Sequence, residues 1–151
     1  MVKRKRVVKD VPGLLADLEV QATFIRRTAI IELVERGARE TSGRLQGLLL
    51  DKEASIRACA AWALGELGEA TSAKPLSTCL KDMDVDVRRA AAQSLAHLSQ
   101  PESELALRSA SVDSDRWVAE WARRGLARLE NGPIRKRPRA IKRGPASDGG
   151  S

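Results

Sequence analysis

The stretch DKEASIRACAAWALGELG (Asp51–Gly68) decides the fold, because it returns in variant form at a constant spacing. The next copy begins 31 residues later and reads DMDVDVRRAAAQSLAHL (Asp82–Leu98). The same shift aligns apolar positions through four copies without an insertion: Ile25, Ile56, Val87 and Val118; Ala29, Ala60, Ala91 and Ala122; Leu33, Leu64, Leu95 and Leu126. A strict period of this length is typical of stacked repeats, each one supersecondary unit.

Each copy contains a short and a long helical pattern. The short one, such as KPLSTCLKD (Lys74–Asp82), is followed by a longer one in which apolar residues recur at helical spacing. Asp84 and Asp115 stand where a helix N-cap is favoured. Gly37 and Gly68 stand where a left-handed C-cap is favoured, and Pro75 is expected to begin a short helix. We predict at least eight helices and no strand. We also predict that the four aligned leucines Leu33, Leu64, Leu95 and Leu126 are buried.

The two quoted copies resemble HEAT repeats, and are most similar to the short variety typified by phycobilisome lyases. The shared pattern is Asp, then Val/Ile-Arg, two small residues and Ala-Leu-Gly. The resemblance implies an all-α, right-handed α-solenoid of about four 31-residue helical hairpins over residues 11–130. It also implies that Arg26, Arg57 and Arg88 join aspartates of neighbouring repeats in a ladder. Ala119 replaces that arginine in the fourth copy and would mark the end of the stack.

The net charge of +7 is concentrated at the two ends of the chain. Residues 1–10 hold five Lys/Arg and one acid, and residues 131–151 hold six Lys/Arg and one acid. Residues 11–130 hold sixteen Lys/Arg and eighteen acids, a net charge of −2. We therefore predict a repeat domain between two basic arms that contact DNA, RNA or another polyanion, or that only maintain solubility. The predicted polyanion-binding residues among these cations are Lys3, Arg4, Lys5, Arg6, Arg135, Lys136, Arg137, Arg139, Lys142 and Arg143.

All the aromatic residues are predicted to project from one side of the long helices, away from the core. At 100° per residue, Trp62 lies nearly opposite the core stripe of its helix, so we expect it and Trp117 to contribute little to stability. The predicted partner-binding set on this concave face is Phe24, Arg27, Trp62, Arg89, Trp117, Trp121, Arg124 and Arg128. Two alternatives remain: alanine-rich core positions push bulky residues outward anyway, and Trp121 caps the open end of the stack.

Several function classes lack their characteristic residues in this sequence. His97 is the one histidine, and the phosphate-loop, dinucleotide and nucleophile-elbow motifs are absent. Cys59 and Cys79 lack metal-ligand spacing and are expected to be reduced thiols. We expect no enzymatic activity, no metal or other cofactor, no small-molecule substrate and no membrane association. The predicted function is a cytoplasmic scaffold or adaptor, a subunit of a larger complex. The alternative is a nucleic-acid-associated protein whose concave face itself meets phosphate or bases, which the near-neutral repeat domain disfavours.

Overall fold

The computed structural model describes residues 9–132, and this part of the chain contains eight α-helices and no strand. The helices are Val11–Asp17 (α1), Thr23–Glu35 (α2), Ser42–Leu48 (α3), Ala54–Leu67 (α4), Ala73–Cys79 (α5), Val85–Leu98 (α6), Glu104–Ala110 (α7) and Arg116–Asn131 (α8). A 3₁₀ turn precedes each of α3, α5 and α7. The predicted helix number and the all-α class are confirmed.

Short and long helices alternate, and each short helix packs against the long helix that follows it. The long helices α2, α4, α6 and α8 also pack against one another in chain order. The result is a stack of four two-helix repeats, an α-solenoid in which each unit buries its apolar face against the next.

The core is a continuous layer of aliphatic side chains between the helices. Leu33, Leu64 and Leu95 are fully buried, as predicted. The prediction for Leu126 is wrong, because it is half-buried. It lies on α8, which has neighbouring repeats on one side only within residues 9–132. Ile25 is 40% exposed at the opposite end for the same reason, whereas its counterparts in the later copies are buried.

The helix ends follow the predicted chemistry with one exception. The Asp84 side chain accepts hydrogen bonds from the first turn of α6, and Asp115 does the same for α8. Gly37 and Gly68 both adopt a left-handed backbone, with φ of 62° and 71°. Pro75, however, is the third residue of α5 rather than the first, because the preceding 3₁₀ turn leads directly into the helix at Ala73. It still falls in the first turn, where a missing N–H costs little.

An arginine–aspartate ladder joins the repeats, as the resemblance implied. Each ladder arginine pairs with the aspartate that begins the next copy: Arg26 with Asp51, Arg57 with Asp82 at 2.8 Å, and Arg88 with Asp113 at 3.0 Å. Each of these aspartates also accepts a hydrogen bond from the backbone N–H two residues later. Ala119, which replaces the arginine in the fourth copy, is buried. The ladder therefore couples each inter-helix turn to the preceding repeat.

The long helices α4 and α6 approach each other closely at Gly65. A Cβ atom placed on Gly65 would lie 2.5 Å from the Cβ of Ser94 and 2.8 Å from its Cα. The Ser94 hydroxyl donates a hydrogen bond of 2.8 Å to the carbonyl oxygen of Ala61 on α4. A glycine facing a small polar residue thus sets the distance between the two helices that carry the candidate site.

Candidate partner-binding groove on the long helices

The four aromatic side chains differ in exposure. Phe24 is 80% exposed and Trp117 is 51% exposed, in agreement with the prediction that they point away from the core. Trp62 and Trp121 are half-buried and pack against the edge of the core, so Trp62 is less exposed than its angular position predicts. The cause is the stack itself, because α4 packs between two other long helices, α2 and α6, so that a side chain opposite its own core stripe is still partly covered.

Trp62 lines a groove with a volume of about 510 Å³ between α2, α4 and α6. The lining residues are Arg27 and Ile31 from α2, Ser55, Ala58, Cys59 and Trp62 from α4, and Asp86 from α6. The groove-lining residues Ser55 and Ala58 on α4 are small, whereas the corresponding positions of the flanking helices carry longer side chains. The groove therefore has a floor of small residues on α4, walls on α2 and α6, and Trp62 one to two turns along α4.

The two walls of the groove carry opposite charge. Arg27 is exposed, and among residues 9–132 no carboxylate is paired with it. On the other wall, Arg89 bridges Asp115 at 2.6 Å and Asp86 at 3.3 Å. This cluster of one guanidinium and two carboxylates has a formal net charge of −1. Asp86 is its outer member, with 73% of its side chain exposed.

The Arg89 cluster is held by a strong bidentate contact. The hydrogen bond from Arg89 holds the pKa of Asp115 well below its usual range, and the backbone N–H groups of Val118 and Trp117 act in the same direction. The same pairing raises the pKa of Arg89. Arg89 therefore joins α6 to the start of α8, and its capacity to bind a partner's carboxylate is already used within the chain.

Neither cysteine has the character of a nucleophile. Burial raises the pKa of the Cys59 thiol, and the neighbouring Arg27 opposes this only in part. Burial also raises the pKa of Cys79 to about 11. Both thiols remain protonated at neutral pH and act as apolar groups. Within the described part of the chain, no group of three or more His, Cys, Asp or Glu residues is placed to hold a metal ion.

Trp121 lies in a separate cluster between α6 and α8. Its ring meets His97 edge-on with the ring centroids 5.6 Å apart, and the guanidinium of Arg124 lies 5.0 Å from its ring centroid. Arg128 donates a hydrogen bond of 2.9 Å to the carbonyl oxygen of Ala96. The contacts of Trp121 with His97 and of Arg128 with Ala96 join α8 to α6, whereas the Arg124 contact lies within α8. The arrangement suits a cap on the final repeat, the alternative left open for Trp121.

The structure thus divides the predicted partner-binding residues into four places. Arg27 and Trp62 share the groove, and Arg89 lies behind its α6 wall. Trp117 is exposed at the start of α8 beside Arg116, whose guanidinium lies 5.7 Å from the ring centroid. Phe24 lines a smaller cleft of about 170 Å³ on the first repeat with Leu14 and Ile25. Trp121, Arg124 and Arg128 form the α6–α8 cluster.

Five groove residues were absent from the predicted set: Ile31, Ser55, Ala58, Cys59 and Asp86. The 31-residue alignment contains the signal that could have found them. Ser55 and Ala58 correspond to Phe24 and Arg27 in the preceding copy, and to Asp86 and Arg89 in the following copy. A helix with small residues between two helices with large ones leaves a groove, and that comparison needs no structure.

The basic arms fall largely outside the described residues. The polyanion-binding prediction concerns Lys3, Arg4, Lys5, Arg6, Arg135, Lys136, Arg137, Arg139, Lys142 and Arg143, none of which lies within residues 9–132. In that described range, no helix is long and apolar enough to cross a membrane.

Fold and groove together define an α-solenoid with a groove of about 510 Å³ on its long helices. The family model described as HEAT repeats matches residues 11–83 and 73–143. The chain therefore belongs to the HEAT-repeat family, and the predicted resemblance is confirmed. A search of curated proteins found no match.

Solved structures share the fold. The complex of CpcE and CpcF of phycocyanin lyase from Nostoc sp. PCC7120 is similar with a TM-score of 0.73 and 23% identity, over 85% of this chain and 56% of that one. Human deoxyhypusine hydroxylase in complex with glycerol is similar with a TM-score of 0.70 and 24% identity, over 84% of this chain and 46% of that one. An engineered protein gives a TM-score of 0.64 and 23% identity, over 83% of this chain and 64% of that one. The chain spans about half the length of the first two structures, and these likenesses concern the fold alone.

Proposed function

We propose that the protein is a non-enzymatic scaffold or adaptor that binds a segment of a partner protein in the groove beside Trp62. The observation that carries this proposal is the groove itself, which is mainly apolar along its floor and has Trp62 and Arg27 at its edges. Arg27 pairs with no carboxylate among residues 9–132. Tryptophan and arginine dominate the binding energy of protein interfaces when they can be desolvated together.

The other predicted residues are expected to contribute unequally. Trp117 and Phe24 are exposed, and their burial by a partner would add apolar area beside the groove. Arg89 and Arg128 already bond within the chain, so their replacement is expected to affect stability more than affinity. The first of the similar structures is itself a complex of two chains, CpcE and CpcF, and is consistent with a HEAT-repeat surface serving as a protein interface.

The basic arms are proposed to anchor the protein to a polyanion. Eleven Lys/Arg lie in residues 1–10 and 131–151, against two acids. Neutralising about six phosphates would give a slope of log K against log salt of about −5 on duplex DNA. The alternative, in which nucleic acid lies on the groove itself, is disfavoured by a repeat domain with a net charge of −2 over residues 11–130. We place the protein in the cytoplasm as part of the same proposal.

Affinity capture from native lysate, with and without nuclease, tests the adaptor role. We expect one protein to be recovered regardless of nuclease, and Trp62→Ala to weaken its binding by about 2 kcal/mol. The matched control is Leu105→Ala, which removes an 81% exposed apolar side chain from the short-helix side. Recovery that is abolished by nuclease would instead favour the nucleic-acid alternative. Undiminished capture by a folded Trp62→Ala variant would refute the groove as the site.

A salt titration on duplex DNA tests the arms separately. Deleting residues 1–9 and 133–151 should remove most of the salt dependence and leave the helical content unchanged, because the arms hold most of the excess positive charge. A truncated protein that binds DNA as tightly as the full chain would show that the arms only maintain solubility.

A further inference from the structure

The charges on the two walls of the groove say more about its occupant than its apolar floor does. Arg27, on the α2 wall, contacts the Cys59 thiol but pairs with no carboxylate among residues 9–132. A guanidinium in this position has donors available for a carboxylate of another molecule.

The α6 wall carries the opposite charge, because it is acidic. Asp115 satisfies Arg89 through two hydrogen bonds of 3.0 and 2.6 Å, and Asp86 is the second, more distant acceptor at 3.3 Å. With one cation between two carboxylates, the cluster retains one negative charge. Its exposed end is Asp86, which lines the groove.

Between the charged walls lies a mainly apolar surface, in which the Ser55 hydroxyl is a polar exception. Ala58 and the protonated Cys59 thiol form its floor, and Ile31 and Trp62 flank it. The α2 and α6 walls are two repeats apart, which corresponds to roughly 20 Å between helix axes at the usual packing distance. A segment that spans the groove would therefore meet positive, apolar and negative surface in that order.

We propose that the groove binds a polypeptide segment carrying a carboxylate, a large apolar side chain and a cation in spatial succession. The carboxylate faces Arg27, the apolar side chain packs on Ala58 and Trp62, and the cation faces Asp86. This inference rests on the proposed function and adds the chemistry and the direction of the occupant. Electrostatic complementarity of this kind sets register and suppresses the reversed orientation, because reversal brings like charges together on both walls.

Selection of short random peptides displayed on phage, with the immobilised full chain as bait, tests this direction. The selected sequences should place an acidic and a basic residue on either side of a large apolar residue. Each charge reversal, Arg27→Glu or Asp86→Lys, should lower the affinity of the protein for the selected peptide about 10-fold or more. The double variant Arg27→Glu/Asp86→Lys should select peptides in which the acidic and basic positions are exchanged.

Arg123→Glu is the matched control, because it reverses an exposed charge on α8 away from the groove lining. We expect it to change the affinity of the same peptide less than about twofold, because Arg123 lies outside the groove lining. If the peptides depend on Trp62 yet ignore both wall reversals, the direction inferred here is wrong while the proposed function stands. If no peptide that depends on Trp62 is selected, both are overturned.

Discussion

Replacing Gly65 with alanine tests whether α4 and α6 approach as closely as the structure places them. The new methyl carbon would lie 2.5 Å from the Cβ and 2.8 Å from the Cα of Ser94, and closer still to its hydroxyl oxygen. Real side-chain contacts begin about 1 Å further apart, so the helices must separate or Ser94 must move. Ser94 cannot simply rotate away, because one of the contacts involves its backbone carbon.

The expected cost combines three terms. Overpacking of this kind costs about 1–3 kcal/mol. Displacing Ser94 also loses its hydrogen bond to Ala61, worth about 0.5–1.5 kcal/mol. The greater helix propensity of alanine returns about 1 kcal/mol. We therefore expect Gly65→Ala to lower the free energy of unfolding by about 2 kcal/mol, and the melting temperature by roughly 8 °C for a domain of this size.

Urea denaturation followed by far-UV circular dichroism measures this change against a matched control. Gly47→Ala places alanine in α3, where a Cβ would meet nothing within 4 Å, and is expected to stabilise the protein by up to about 1 kcal/mol. Adding Ser94→Gly to Gly65→Ala should recover part of the lost free energy of unfolding. The double variant should be more stable than the sum of the two single effects predicts by about 0.5 kcal/mol or more. If Gly65→Ala is as stabilising as Gly47→Ala, the helices do not approach as described.

Three further predictions concern the aromatic residues and the ladder. Trp62→Ala is expected to lower the free energy of unfolding by about 1–2 kcal/mol because Trp62 packs on the core. Trp117→Ala is expected to lower it by less than about 0.5 kcal/mol because Trp117 is more exposed. Urea denaturation in which Trp117→Ala is the more destabilising variant would contradict this difference in burial. Trp121→Ala should lower the melting temperature more than it lowers partner affinity; thermal melts and partner titrations that show the reverse would exclude the cap. The hydrogen bond from Arg57 lowers the pKa of Asp82, so this pair stabilises the fold above about pH 4, and the stabilisation is lost on further acidification. Asp82→Asn should therefore be less stable than the unmodified protein at neutral pH, but should lose less stability than that protein on acidification. If the urea midpoints of the two proteins fall by the same amount between neutral pH and acid, the ladder pairing is contradicted.

The fold could be predicted from the sequence because the constant repeat length aligns the equivalent positions of all copies. Once Leu33, Leu64 and Leu95 align at a fixed spacing, the helical hairpin, its core stripe and its caps follow from periodicity and local backbone chemistry. The wrong burial prediction, for Leu126, falls where the described stack ends. Ile25 and Leu126 carry core residue types, but within residues 9–132 each has a neighbouring repeat on one side only, and a sequence alignment treats every copy as if it were internal.

The candidate site could not be predicted fully, because it depends on contacts between repeats. The angular position of a residue on its own helix gives no information about those contacts. Arg27 and Arg89 occupy the same position of the repeat, yet Arg27 pairs with no carboxylate among residues 9–132, whereas Arg89 is held by Asp115. Trp62 is half-buried rather than exposed because the flanking helices reach it. Sequence alone determined which residues face the long-helix surface. Tertiary packing decided which of them are already satisfied, because a side chain's free hydrogen-bonding capacity depends on the distance to groups in the next repeat.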